Sequence, residues 1–302
     1  MSTLPPSSLS TFKLGLIGYP LSHSLSPQIQ TAALLSCSLA GDYSLFPIPP
    51  EEQQGLKELL NRVRSGQIQG LNVTIPHKQN VIPFLDELTP TARAIGAVNT
   101  IYVRNAKLIG ENTDAPGFLS DLQRFLGEQR SSIVHHSSSI VLGAGGSARA
   151  IVYALLNDGW NVTLAARRME QSNELAEQFE KINIMEFNPQ SFQLLNHQLV
   201  VNTTPLGMTP NIDQSPWPDN LPFPKDAAIY DLVYNPHETK LVREARAQGL
   251  NATTGLGMLI EQAALAFEIW TGHHPSREMM RASVKQSPVS NFQASVPHHG
   301  VY

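Results

Sequence analysis

Short apolar runs alternate with amphipathic stretches along the first third of the chain. Runs of four to seven residues predict strands, and apolar residues that recur every three or four positions predict helices. The predicted elements are, in chain order, a strand at Lys13–Gly18, a helix at Pro27–Leu39, a strand at Tyr43–Ile48, a helix at Glu51–Val63 and a strand at Leu71–Thr74. This alternation is typical of βαβ units and predicts a largely parallel sheet.

A hairpin and a polar interruption follow this series. Two extended runs between Ala97 and Asn112 flank Arg104–Ala106, which predicts a hairpin turn. A helix is expected to begin near Pro116, with Thr113 or Asp114 as its N-cap. The Ser- and His-rich segment Gln129–Ser138 then breaks the pattern.

A second alternating series begins after the polar segment and predicts a separate α/β layer system. Its predicted strands and helices are Ser139–Leu142, Ser147–Asn157, Asn161–Ala165, Met169–Phe179, Leu199–Asn202, Ala228–Val233 and Thr239–Gln248. The segment Thr209–Lys225, rich in Pro and Asp, is predicted to be a surface loop. The apolar helix Met258–Trp270 fits neither series, and the polar segment Gln286–Tyr302 is predicted to be disordered.

Composition narrows the classes of partner. The 302 residues include 21 Lys and Arg against 25 Asp and Glu, a net charge of −4, which argues against nucleic-acid or membrane binding through bulk positive charge. The single cysteine excludes an intramolecular disulfide and a Cys-rich zinc site, and the histidine pairs lack metal-binding spacing. We expect a cytoplasmic protein, monomeric or homodimeric, that binds a small molecule and no metal.

A glycine-rich turn joins a predicted strand to a predicted helix. Ile140–Leu142 run into the turn, whose residues are Gly143, Ala144, Gly145, Gly146 and Ser147. Glycines let the backbone approach a pyrophosphate closely, and the amides at the start of the helix attract the anion. The turn therefore predicts a dinucleotide site.

Two arginines stand where an NAD-binding unit would place a carboxylate for the ribose. Arg167 and Arg168 follow the strand that ends at Ala165. Guanidinium groups at this position favour the 2′-phosphate of NADP through charge-assisted hydrogen bonds. The nearby Glu170 leaves NAD open as the alternative.

Small polar residues are dense around two candidates for proton transfer. Lys78 follows the strand that ends at Thr74, and Asp114 precedes a helix. Taken alone, Lys78 would be interpreted as a surface lysine and Asp114 as a helix cap. The polar residues that accompany them are Ser22, Ser24, Ser26, Asn72, Thr74, Asn99, Thr100, Asn112 and Thr113. Buried hydroxyl groups of a ligand each need a fixed partner, so this set predicts a site for a small polyhydroxylated ligand. Ser26 is also expected to cap the helix that begins at Pro27.

Eight motifs in one order give the chain its resemblance to a known family. They are Ser24–Pro27, Asn72–Lys78, Gly96–Thr100, Asn112–Asp114, Gly143–Ser147, Asn202–Met208, Asp231–Tyr234 and Gly255–Met258 leading to Gln262. From Lys13 to about Gly272 the sequence resembles the shikimate dehydrogenases.

The resemblance implies both an activity and a fold. The activity is the NADP-dependent interconversion of 3-dehydroshikimate and shikimate, on the route to chorismate and the aromatic amino acids. The α/β fold has a substrate domain with a mostly parallel sheet, a Rossmann-like NADP-binding domain and C-terminal helices that return to the substrate domain. The expected boundaries are 1–113 for the first part of the substrate domain, 114–254 for the dinucleotide-binding domain, 255–286 for the returning helices and 287–302 for a disordered tail.

The resemblance also assigns residues. Lys78 and Asp114 form the catalytic pair, in which Lys78 either donates the proton or orients the substrate. Both also contact the substrate, together with Ser24, Ser26, Thr74, Asn99, Tyr234 and Gln262. The cofactor residues are Gly143, Ala144, Gly145, Gly146, Ser147, Arg167, Arg168, Leu232, Gly255 and Met258.

One departure from the family pattern bears on the cofactor. Members that use NADP carry Asn-Arg-Thr and a further basic residue three positions on, whereas this chain has Ala166-Arg167-Arg168 and then Gln171. The departure weakens the expected preference for NADP without reversing it. The alternatives are a quinate/shikimate dehydrogenase that uses NAD and a non-catalytic NADP-binding sensor on the same fold.

Overall fold

The computed structural model describes residues 11–127, 137–188, 192, 197–219 and 221–285. The tail predicted at Gln286–Tyr302 and all but the last two residues of Gln129–Ser138 lie outside the described residues.

Six strands near the start of the chain form a mixed, mostly parallel sheet. They are β1 (Phe12–Gly18), β2 (Gly41–Pro47), β3 (Gly70–Val73), β4 (Glu87–Leu88), β5 (Thr100–Arg104) and β6 (Lys107–Glu111), in the order β2-β1-β3-β5-β6-β4. Only β5 pairs antiparallel, with β3 and with β6. The predicted hairpin is confirmed, because Arg104 pairs with Lys107 across Asn105 and Ala106, whose φ angles are 53° and 60°.

Short helices pack beside this sheet. They are α1 (Ser26–Ser36), α2 (Gln53–Arg64), α3 (His77–Asn80), a 3-10 turn at Ile82–Phe84 and α4 (Pro90–Ile95). Leu56, Leu60 and Val63 recur on one face of α2 and are buried in one cluster with Val73 and Ile101 of the sheet. The apolar periodicity of α2 therefore fixes which face meets the strands.

Residues 138–254 form a second sheet in which every strand is parallel to its neighbours. Its strands are β7 (Ser138–Leu142), β8 (Asn161–Ala166), β9 (Ile182–Glu186), β10 (Leu199–Asn202), β11 (Ala228–Asp231) and β12 (Ala252–Thr254), in the order β12-β11-β10-β7-β8-β9. The accompanying helices are α6 (Gly146–Asn157), α7 (Met169–Gln178) and α8 (Lys240–Ala247). The strand order reverses between β7 and β10, the position where such sheets bind their ligands.

Three further helices lie between or beside the two sheets. They are α5 (Asp114–Leu126), α9 (Leu256–Thr271) and α10 (Arg277–Lys285). Residues Ile260 and Phe267 of α9 are buried with Leu14 of β1 and Ile29 of α1, so the chain returns to the first sheet after completing the second. These contacts confirm the predicted fold class. No helix in the described part of the chain is long and apolar enough to cross a bilayer.

Several local predictions were wrong or incomplete. Edge strands β9 and β12 were not predicted, because β9 is only partly buried and β12 has three residues. The loop Thr209–Lys225 does not lie wholly on the surface, since Trp217 and Phe223 are 3% and 7% exposed. Ser26 is the first residue of α1 and not its N-cap.

We expect the replacement Gly70→Ala to destabilise the protein. The indole nitrogen of Trp270 in α9 donates to the Ile101 carbonyl at 3.1 Å, and a Cβ on Gly70 would lie 2.3 Å from that ring. Over-packing of this kind lowers the free energy of unfolding by about 1–3 kcal/mol. Urea denaturation measures it.

The matched control is Gly55→Ala in helix α2. There the added Cβ meets only the end of the flexible Glu52 side chain, and alanine favours helix by about 0.5–1 kcal/mol. Equal effects at Gly70 and Gly55 would contradict the assigned packing of Trp270.

Candidate active site

Lys78 and Asp114, predicted as a pair, form a buried ion pair. Lys78 Nζ lies 2.6 Å from Asp114 Oδ2, and the two side chains are 11% and 6% exposed. Lys78 Nζ also lies 3.4 Å from Ser147 Oγ, in the first turn of α6. A lysine in α3, beside the first sheet, thus reaches the glycine turn of the second sheet. Without its partner, either charge would be buried with no counter-ion, which would lower the stability of the folded state.

The start of α5 leaves the Asp114 carboxylate available to the lysine. Asn112 Oδ1 accepts hydrogen bonds from the backbone amides of Asp114 and Ala115 at 3.1 and 3.2 Å, so the Asn112 side chain satisfies the first amides of the helix. Of the two predicted N-caps, Thr113 holds that position, although its side chain makes no cap bond, and Asp114 is instead the first helical residue. A carboxylate in the first turn is also favoured by the helix dipole.

Asn99 links the ion pair to helix α9. Its amide nitrogen lies 2.8 Å from Asp114 Oδ1, 2.9 Å from Thr113 Oγ1 and 3.3 Å from Gln262 Oε1. Asn99 and Gln262 are 2% and 9% exposed. Buried amides held by several partners have fixed orientations, so this network presents a defined set of polar groups.

Tyr43 extends the network towards the start of α1. Its hydroxyl donates to Asn72 Oδ1 at 2.8 Å, and Asn72 Nδ2 donates to the Asn99 carbonyl at 3.2 Å. Burial raises the pKa of Tyr43 far above its usual value, while the Ser26 side chain beside it acts in the opposite direction. The phenol therefore stays a neutral donor at physiological pH.

The glycine turn lies where the strand order of the second sheet reverses. Gly143 has a φ of 108°, and a Cβ there would lie 2.8 Å from Thr203 Oγ1. A Cβ on Gly145 would meet no atom within 4 Å, so the space before α6 is open. The backbone amides at the start of the helix can donate into that space, and these residues fit a dinucleotide pyrophosphate.

Arg167 and Arg168 follow β8 at the same edge of the sheet. Both are exposed, and neither forms an ion pair with another described residue. Their guanidinium groups are therefore available to a 2′-phosphate. Within the described segments, no group of three His, Cys, Asp or Glu residues could hold a metal ion.

Comparisons with known proteins identify the family. A family model for the shikimate dehydrogenase substrate binding domain matches residues 16–101, and one for the shikimate 5'-dehydrogenase C-terminal domain matches residues 255–285. The NADP(+) shikimate dehydrogenase of Carboxydothermus hydrogenoformans is 39% identical over 274 residues, which cover 89% of this chain and 95% of that protein. The chain belongs to the shikimate dehydrogenase family.

Further shikimate dehydrogenases are similarly close. The NADP(+) enzyme of Salinibacter ruber is 40% identical over 92% of this chain and 97% of its own length. The crystal structure of the Thermus thermophilus enzyme in complex with NADP(H) and shikimate is 37% identical, with a TM-score of 0.79 over 91% of this chain and 98% of that chain. The relatives are therefore matched along almost their full length.

Other residues that the shikimate dehydrogenase resemblance assigns lie together at the end of β11. The Leu232 carbonyl oxygen would lie 2.3 Å from a Cβ on Gly255, so only glycine permits this approach of two backbones. Met258 is 7% exposed and packs in the same apolar cluster as Leu232. The three residues form one wall beside the strand-order reversal.

The remaining assigned residues are less tightly connected. The Ser24 hydroxyl accepts from the Ser26 backbone amide at 3.2 Å and so supports the start of α1. Among the described residues, the side chains of Thr74 and Tyr234 make no hydrogen bond to the network formed by Lys78, Asp114, Asn99 and Gln262. Burial raises the pKa of Tyr234, which keeps its phenol protonated.

Two contributors to the site were missed at the sequence level. Tyr43 carries no sequence signal, because it is one more aromatic residue in a strand. Thr203 belongs to a motif that marked the family but had no role assigned, and its hydroxyl donates to the Leu142 carbonyl at 2.7 Å beside the glycine turn. The position of Thr203 in that motif was the one sequence signal that could have pointed to its role in the site.

We expect the contribution of Asp231 to the stability of the protein to fall as pH rises through the range in which this carboxyl group titrates. Burial raises the pKa of Asp231 from 3.8 to about 6, although Thr239, the Val233 amide and Asn202 donate to it. The folded protein thus binds this proton more tightly than the unfolded chain, and this contribution is lost as pH rises through about 6. This difference in proton affinity between the folded and unfolded states corresponds to roughly 3 kcal/mol.

The replacement Asp231→Asn should therefore flatten the dependence of unfolding free energy on pH, measured by urea denaturation across that range. The control is Asp226→Asn at an exposed site. If the wild type and Asp231→Asn show the same slope, the raised pKa of Asp231 is refuted.

Proposed function

We propose that this protein catalyses the reversible NADP-dependent interconversion of 3-dehydroshikimate and shikimate, running as a reduction in the biosynthesis of chorismate and the aromatic amino acids. The observation that carries the proposal is the buried Lys78–Asp114 pair, which lies against the glycine turn through Ser147. The NADP(+) relatives and the structure solved with NADP(H) and shikimate support it.

Lys78 has the donors that reduction of a ketone requires. Its ammonium group has three N–H bonds. One points to Asp114 at 2.6 Å and a second makes the longer contact with Ser147 at 3.4 Å, which leaves a third for the substrate oxygen. Bound NADPH supplies the hydride. The ammonium stabilises the charge that develops on the oxygen and is placed to donate the proton, while Asp114 fixes its position.

The amide and hydroxyl groups around the pair hold the substrate. We assign its hydroxyl groups and carboxylate to Ser24, Ser26, Thr74, Asn99, Tyr234 and Gln262, together with Lys78 and Asp114. Asn99 and Gln262 are already oriented by their mutual contact and by Thr113, so they lose little freedom when a ligand binds.

The dinucleotide is assigned to the second sheet. The glycine turn from Gly143 to Ser147 holds the pyrophosphate, Arg167 and Arg168 hold the 2′-phosphate, and the wall formed by Leu232, Gly255 and Met258 faces the nicotinamide. The open space at Gly145 and the exposure of both arginines support this assignment.

The domain boundaries follow the sheets in this proposal. Residues 1–113 and 255–286 are assigned to the substrate domain and residues 114–254 to the dinucleotide-binding domain, while 287–302 lie outside the described residues. The two separate sheets and the packing of α9 and α10 on α1 support the division. The cytoplasmic location and the monomeric or homodimeric state stay predictions from the sequence.

Replacing Lys78 should abolish most of the activity. We expect Lys78→Ala to lower kcat for shikimate oxidation by about 10²- to 10⁴-fold, the usual contribution of a positioned proton-transfer group. The absorbance of NADPH measures the rate. Lys107→Ala, at an exposed ion pair in the hairpin, is the matched control and should keep wild-type activity.

Three outcomes would change the proposal. An unchanged kcat in Lys78→Ala would remove the lysine from the reaction. Equal wild-type rates with NAD or with quinate would favour the quinate/shikimate dehydrogenase, and wild-type protein that binds NADP but reduces it with neither substrate would favour the sensor.

Arg167 should discriminate between the two dinucleotides. We expect Arg167→Ala to raise the KM for NADP about tenfold or more and to leave the KM for NAD nearly unchanged, because only NADP offers the 2′-phosphate to a charge-assisted hydrogen bond. Steady-state kinetics with both dinucleotides measure the change, and Arg104→Ala at the hairpin is the control. Equal increases for both would contradict the assignment.

A further inference from the structure

A buried hydrogen bond joins two elements that carry proposed site residues. The hydroxyl of Tyr230, which is fully buried, donates to Asp121 Oδ2 at 2.7 Å. Tyr230 lies in β11, two residues before Leu232. Asp121 lies in α5, seven residues after Asp114, and two helical turns place both carboxylates on the same side of the helix.

The same two side chains lie against the first turn of a third element, α9. A Cβ on Gly257 would lie 1.9 Å from Asp121 Oδ1, so the helix approaches the carboxylate as closely as a glycine allows. The backbone amide of Met258 faces the Tyr230 hydroxyl. This turn leads to Gln262, one turn further along α9.

Asp121 also contacts a cation that spans two helices. Arg124 lies 2.7 Å from Asp121 Oδ1 and 2.6 Å from Glu261 Oε1, so its guanidinium bridges α5 and α9. Burial, and then the negative charge of Asp121, raises the pKa of Tyr230 well above its usual value. The phenol therefore remains protonated and donates throughout the working range of pH.

We propose that Tyr230 and Asp121 are positioning residues for the reaction. The inference rests on the proposed function, because it gives Tyr230 and Asp121 the role of aligning the proposed cofactor residues with the proposed catalytic pair. Their hydrogen bond holds the start of α9 and the end of β11 against α5. It thereby positions the wall formed by Leu232, Gly255 and Met258 relative to the Lys78–Asp114 pair. Misalignment of reacting groups raises the barrier to reaction more than it weakens binding, so kcat is the quantity that responds.

The replacement Tyr230→Phe removes the hydroxyl and keeps the ring. That ring packs edge-on against Phe118 and Phe125, with centroids at 5.1 and 6.0 Å. We expect kcat to fall about 3- to 10-fold, which corresponds to the loss of one ordinary hydrogen bond. The KM for shikimate and the dissociation constant of NADP should change less than about twofold. Tyr153→Phe in α6 is the matched control.

A double-mutant cycle tests whether the two residues act through their shared bond. In an Asp121→Ala background the change Tyr230→Phe should have no further effect on kcat, since its partner is already absent. Additive effects would overturn the proposal. If Asp121→Ala does not fold, Tyr230→Phe and its control decide the matter alone.

Thermal unfolding of the same variants separates positioning from stability. A lower Tm for Tyr230→Phe with an unchanged kcat, measured well below Tm, would show a purely structural role and overturn this inference while the proposed function stands. Wild-type protein inactive with shikimate and both dinucleotides would overturn the proposed function itself.

Discussion

A lysine ammonium group can be buried only if its charge is matched, and much of the candidate site is arranged to match it. The carboxylate of Asp114 lies 2.6 Å from Lys78, while the Asn112 side chain accepts from the first amides of α5 and leaves that carboxylate for the lysine. Asn99 then holds the second carboxylate oxygen at 2.8 Å. Each of these contacts helps to keep the buried charges paired, since an unpaired charge at this depth would destabilise the fold by several kcal/mol.

Features with strong local signals were predictable from the sequence. The glycine turn is marked by a strand before it and a helix after it, and the two sheets by alternating elements. The hairpin at Asn105 and Ala106 is marked by polar residues between two extended runs. In each case, neighbouring residues in the chain carry both the signal and the structure.

Features that depend on distant partners were not predictable in this way. Local rules favoured Asp114 as a helix cap, because nothing nearby shows that the Asn112 side chain accepts from the first amides of the helix or that Lys78 arrives from 36 residues away. The hydrogen bond of Tyr43 with Asn72 and that of Tyr230 with Asp121 join residues 29 and 109 positions apart. The family resemblance named Lys78 and Asp114 as a pair, and their side chains do meet, although the resemblance said nothing of Tyr43.

The return of α9 and α10 to the first sheet has a consequence for the order in which the chain acquires its structure on the ribosome. Gln30 of α1 donates to the Ala263 carbonyl across 233 positions, and Ile29 is covered by the same helix. The second sheet, by contrast, draws all of its strands from residues 138–254. Synthesis runs from the N-terminus, so the first sheet is made first but lacks the helices α9 and α10 that pack over it until the end of synthesis. The second sheet is made later and can finish folding before the first sheet does.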